Sequence, residues 1–141
     1  MKYKSKRIQI SCDGGAATGK SNGAKMISKK YKNCCIEGRD ISTKILPNSD
    51  LKFFFVCSLS IAAKRRFSEL KRLSINLKLK DVEKAIRIRN KLDINRKHSP
   101  LLKHRNSIVI DSGKYDKKAM LAKMSFFVES FLKKKYGNRR N

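Results

Sequence analysis

Acid is scarce in this chain. Only 11 Asp and Glu stand against 36 Lys and Arg, a formal charge of +25 over 141 residues with a pI near 10.3. With seven Asp in all, the place of each one becomes informative. Long apolar runs are missing too. The longest, Phe53 to Cys57, is far too short to cross a bilayer. The basic start Met1 to Arg7 leads into Ile-Gln-Ile-Ser and a glycine loop, not into a signal-peptide core. The expectation is a soluble, cytosolic protein with no membrane partner. Cysteines lack metal-site spacing: Cys12, Cys34, Cys35 and Cys57 contain no C-x-x-C, and His98 and His104 are too loosely placed to complete a tetrahedron. Cys12 and Cys57 fall in strand-like runs and read as small buried hydrophobes. Repeats and low-complexity linkers are absent, and 40% apolar residues argue against disorder. The length suits one domain.

A charge of +25 is what a polyanion binder shows. Yet 25 of the 36 basic residues are Lys scattered along the chain, which reads as a solvated surface. The aromatics sit mostly in apolar runs such as Phe53 to Phe55 and Phe126-Phe127, which suits a core better than a stacking platform.

Residues Arg7 to Cys12 alternate like a strand and end at Asp13-Gly14-Gly15. From Gly19 to Lys32, Ala24, Ile27, Ser28 and Tyr31 keep helical spacing. The short run Cys34-Cys35-Ile36 stops at Glu37-Gly38-Arg39-Asp40. Leu51 to Val56, behind Pro47-Asn48-Ser49, suits a strand buried on both faces. Helices are predicted over Ile61 to Leu73, Lys80 to Ile94 and Lys117 to about Lys134, with a strand at Ser107 to Asp111 and a frayed basic tail over 133–141. Strands alternating with helices predict an α/β fold with a parallel sheet, whose carboxyl ends are where ligands bind.

Three segments carry chemistry. Gly14-Gly15-Ala16-Ala17-Thr18-Gly19-Lys20-Ser21 satisfies G-x-x-x-x-G-K-[ST] between a predicted strand and a predicted helix. Small residues let backbone N–H groups wrap a phosphate, and the helix start turns its positive end toward the anion. Lys20 reaches the β/γ-phosphates and the Ser21 hydroxyl ligates Mg²⁺ in such a loop. Second, Arg89, Asp93 and Arg96 lie at i, i+4 and i+7, one stripe of a helix. Two Arg flanking an Asp suit a phosphate with a hydroxyl nearby, but an ordinary surface ion pair fits that spacing as well. Third, Gly38-Arg39-Asp40 follows a short apolar strand and means little by itself.

Together these segments resemble the bacterial cytidylate kinases, nucleoside-monophosphate kinases of the P-loop class. The matching stretches are Ile8 to Gly23, Ile36-Glu-Gly-Arg-Asp-Ile-Ser-Thr43, Asp50 to Phe55, Ala63 to Arg66, Asp93-Ile-Asn-Arg-Lys-His-Ser-Pro100 and Ile108 to Asp111. The resemblance implies a three-layer P-loop kinase core and ATP-dependent phosphorylation of CMP or dCMP with Mg²⁺. It implies that residues Gly14 to Asn22 hold ATP, that Arg39 and Asp40 face the monophosphate, and that Asp93 holds the sugar or base side. Arg89 and Arg96 then serve the acceptor phosphate and the transferring group, while Arg65 and Arg66 lie near the ATP phosphates. Lys20, Arg89 and Arg65 are the expected catalytic residues. A lid is expected at about 73–96, and a monomer is expected.

The chain departs from the family pattern in places. Gly15 stands where Pro is usual, Asn22 where Thr is usual, Ile88 where Glu is expected and Asn90 where Asp is expected. A larger departure lies between Lys32 and Asn33, where the family carries a monophosphate-binding subdomain. Its class has sheet order 2-3-1-4-5, so losing edge strand 2 leaves a contiguous 3-1-4-5. A connection of about two to four residues is then a normal αβ loop. Two alternatives accompany the kinase reading: a non-catalytic basic nucleic-acid-binding module, or an inactive deletion product on a P-loop scaffold.

Overall fold

The computed structural model describes residues 6–137. Four strands, β1 (Gln9–Gly14), β2 (Cys34–Gly38), β3 (Leu51–Val56) and β4 (Ile108–Asp111), are interspersed with four helices. These are α1 (Lys20–Tyr31), α2 (Leu59–Arg72), α3 (Leu79–Ile94) and α4 (Lys117–Tyr136), with one π-helical turn at Ile41–Ile45. All strand pairs are parallel and the order is β2-β1-β3-β4. In the family's numbering this is the expected 3-1-4-5.

Period-two alternation divides the central strands by face. Ile8, Ile10 and Cys12 of the first strand and its lead-in, with Phe53 and Phe55 of β3, join one buried cluster. Ala24, Ile27 and Tyr31 of α1 and Met120, Met124, Val128 and Leu132 of α4 close it. Ser11 and Lys52, at alternate positions, are buried but polar: the Ser11 hydroxyl lies 3.0 Å from that of Ser49, and Lys52 donates to the Ser49 carbonyl. Burial pushes the Tyr31 hydroxyl up to about 12, and that hydroxyl donates to Glu129 at 2.8 Å.

Gly23 sits where α1 crosses β3. A Cβ there would lie 2.7 Å from Phe55 Cζ, so the helix approaches the sheet only because the residue is glycine. At its other end α1 stops at Lys32, in the left-handed region, whose N–H donates to the Ser28 carbonyl. Two residues, Lys32 and Asn33, connect α1 to β2. The Asn33 side chain ties the corner, accepting from Ile8 N–H and donating to the Lys6 and Tyr31 carbonyls.

A second, smaller cluster joins α2 and α3 through Ala62, Ala63, Val82 and Ile86. It packs on Ala16, Ala17 and Cys57, so this helical hairpin stands over the carboxyl ends of β1 and β3. Ser58 caps α2 by accepting from Ile61 N–H, and Asp116 caps α4 by accepting from Ala119 N–H.

Several expectations need correction. Helix α4 runs through Tyr136, because Leu132 is buried, the Tyr136 hydroxyl donates to the Arg7 carbonyl and Lys135 pairs with Asp50. The first part of the expected tail is therefore anchored helix, while 138–141 lie outside the described residues. Cys57 is only half-buried, because it stands at the open carboxyl end of the sheet. Helix α3 ends at Ile94, so Arg96 follows the helix and does not extend its stripe. No group of metal-ligating side chains occurs among the described residues, and no described helix is long and apolar enough to cross a membrane.

Candidate phosphotransfer site

The loop between β1 and α1 is shaped by its small residues. A Cβ on Gly14 would lie 2.5 Å from the Phe55 carbonyl oxygen, and Gly14 has φ 152°. Gly19 and Ala17 adopt positive φ of 81° and 57°, which turns the chain sharply into the helix. No side chain caps α1 and no acid stands in its first turn. Its leading N–H groups are thus left for an anion. The Thr18 hydroxyl and the Lys20 ammonium both donate to the Gly15 carbonyl, at 2.9 and 3.1 Å. Lys20 is only 6% exposed. Burial, then the positive charge of Arg39, lowers its pKa from the ordinary lysine value.

Beside the loop opens a cleft of about 850 Å³ lined by Thr18, Ser21, Asn22, Arg65, Ser112 and Tyr115, among others. Arg65 is held by Ser112: its guanidinium donates to the hydroxyl at 3.0 Å and to the carbonyl at 2.7 Å. Arg66 also lines the cleft but pairs with Glu69 on the exposed face of α2.

On the other side, three guanidiniums surround one carboxylate. Asp93 is 2% exposed and meets Arg39 Nε at 2.8 Å, Arg89 Nε at 3.5 Å and the Arg96 guanidinium. The ordinary surface ion pair is excluded, since the carboxylate is buried and one of its partners, Arg39, comes from 54 residues away. Burial pushes the Asp93 carboxyl up, but hydrogen bonds and charge from Arg39 and Arg96 outweigh it and leave it below the usual value. The cluster keeps a formal surplus of two positive charges.

Arg39 is aimed by a device the sequence reading missed. Asp13, fully buried at the end of β1, accepts from the N–H groups of Ile41 and Ser42, both at 2.8 Å. This anchors the π-helical turn behind Gly38-Arg39-Asp40. The signal was available in a chain with so few acids, since Asp13 closes an apolar strand. Asp40 caps that turn through its backbone carbonyl, which accepts from Lys44 N–H at 2.8 Å. Asn90 was also missed as a contact: its Oδ1 accepts from Ala16 N–H at 2.9 Å.

The two halves meet at the phosphate loop, where Asn90 of α3 accepts from Ala16 N–H. The Lys20 ammonium senses the charges of Arg39, Asp93, Asp13 and Glu37 together. Lys20, Ser21 and Arg65 thus border the cleft, while Arg39, Arg89, Asp93 and Arg96 stand on the opposite side of the loop.

A parallel sheet in this order, with the glycine loop leaving a central strand for a helix, defines a P-loop kinase fold. The family model described as Cytidylate kinase matches residues 28–129, and the chain belongs to that family. A cytidylate kinase of Clostridium botulinum (strain Hall) is 44% identical over 89 residues, 63% of this chain and 41% of the relative. That of Clostridium tetani is 36% identical over 113 residues, 80% of this chain and 50% of the relative. The chain therefore spans half or less of the length of these curated relatives. A crystal structure of an uncharacterized protein from Eubacterium ventriosum superposes with a TM-score of 0.68 at 14% identity, covering 87% of this chain and 99% of that one. That likeness concerns the fold alone.

Proposed function

We propose that this chain transfers the γ-phosphoryl group of ATP to the phosphate of CMP or dCMP, as a reduced cytidylate kinase core. The supporting observation is the phosphate loop placed beside the Arg39–Asp93 cluster and tied to α3 through Asn90. In this reading residues Gly14 to Asn22 cradle the ATP phosphates, and the uncapped start of α1 fits that group. The Ser21 hydroxyl would hold magnesium, which would offset the charge of the phosphate oxygens. Lys20 leaves the Gly15 carbonyl to meet the transferring phosphoryl group. Arg65, braced by Ser112, stabilises charge on the donor side, and Arg89 does so on the acceptor side. Arg39 and Arg96 orient the acceptor phosphate, with Asp40 facing the monophosphate and Asp93 toward the sugar or base side. The lid expected at about 73–96 closes through its exposed stretch Leu73 to Lys80, and its closure excludes water.

The family's monophosphate-binding part is absent between residues 32 and 33 in this reading, so CMP is held from one side only. Misplacement by about 1 Å costs about 100-fold in rate. Expected, then, are ordinary ATP binding and turnover roughly 100-fold below that of a full-length family member. A coupled ADP-release assay with and without CMP, with Lys20→Ala as control, tests both. CMP-independent ADP release, or release unaffected by Lys20→Ala, refutes the proposal.

A further inference from the structure

Two positions distant in sequence meet at one point of the phosphate loop. Asn90 Oδ1 accepts the Ala16 N–H at 2.9 Å across 74 positions. A Cβ built on Gly15 would lie 2.9 Å from Asn90 Oδ1, 3.3 Å from Cγ and 3.4 Å from Nδ2. The whole amide therefore lies flat across Gly15, and a side chain at position 15 would occupy its place. Gly15 also presents its carbonyl to Lys20 Nζ at 3.1 Å. Asn90 sits on α3 beside Arg89 and one turn before Asp93. A short chain of contacts thus runs from the loop lysine through Gly15 and Asn90 to the arginine cluster.

We infer that Asn90 is a positioning residue that clamps α3 onto the phosphate loop. Gly15 is the partner that makes room for it. The clamp rests on the kinase reading for its catalytic consequence, because what it fixes is the distance between Lys20 and the pair Arg89 and Asp93. The Ala16 N–H donates to Asn90, and the phosphates are left to the N–H groups that follow. A clamp of this kind governs alignment and leaves donor affinity largely alone.

The test uses Asn90→Ala, Asn90→Asp and Gly15→Ala in the full chain. Gly15→Ala pushes aside only the end of a flexible side chain, so it folds while displacing the amide. Native-state hydrogen exchange reads the Ala16 amide directly, isothermal titration reads ADP affinity, and the coupled assay reads kcat and KM. Expected is faster Ala16 exchange in Asn90→Ala and Gly15→Ala, and in Asn90→Ala a kcat lower by about tenfold with ADP affinity within about threefold. The two substitutions combined do no more than either alone. Asn90→Asp, which keeps the acceptor, restores protection of Ala16. Unchanged Ala16 exchange in Asn90→Ala, or additive effects in the double variant, overturns the clamp. Absence of turnover in the parent chain counts against the kinase reading only, since exchange still decides the clamp.

Discussion

Replacing Asp93 by Asn tests whether the arginine cluster is a true buried ion group. The substitution conserves shape and removes one negative charge from among Arg39, Arg89 and Arg96. Breaking a buried pair by removing one partner costs about 3–5 kcal/mol. Here Arg89 and Arg96 are 59% and 40% exposed, and water screens them, while Arg39 at 20% is the partner left stranded. The discounted cost is about 2–3 kcal/mol. At this chain length that is a fall in Tm of about 5–10 °C, read by circular dichroism at pH 7. The sign with pH follows from the depressed carboxyl. Its contribution is complete above the unfolded value of about 3.9 and disappears as pH falls through the lower folded value. The gap between parent and variant therefore stays constant from neutral pH down to about 5 and closes in stronger acid. Inorganic phosphate raises the Tm of the variant more than that of the parent, since it can replace the lost charge. A fall of less than about 2 °C, or a gap that widens in acid, refutes the reasoning.

Asp13→Ala leaves the N–H groups of Ile41 and Ser42 buried without an acceptor. It lowers the urea-unfolding free energy by about 2–4 kcal/mol and weakens binding at the Arg39 side more than at the ATP side. Gly23→Ala drives a methyl into the Phe55 ring, expected to cost about 1–3 kcal/mol in the same measurement. Lys20→Ala removes an ammonium that bonds a loop carbonyl, so its Tm stays close to the parent's while ATP affinity falls by at least about tenfold.

What the sequence made legible follows from how local the physics is. The phosphate loop could be read because each requirement, a tight turn, close backbone approach, a helix start, is met within eight neighbouring residues. The strand Leu51–Val56 and the stripe of Ala24, Ile27 and Tyr31 were equally local. Asp93 was ambiguous because its burial depends on Arg39, which only the register of β2 against β1 brings near. Asp13 and Asn90 gave no readable partner, since each serves backbone N–H groups on a distant segment. Helix α4 outran its expected end because Tyr136 and Lys135 find partners at Arg7 and Asp50, a pairing no periodicity announces.

Strand β2 lies at one margin of the sheet, with Ile36 and Glu37 exposed. A bare margin of this kind is a template on which another chain can add a strand. The charge of +25 bears on that hazard. Copies of this molecule repel one another over the ~10 Å Debye length of about 0.1 M salt. Concentrated salt or a polyanion removes the repulsion and leaves the margin unguarded. The lysines that read as a solvated surface thus act as a colloidal shield for the sheet, and solubility should fall as ionic strength rises.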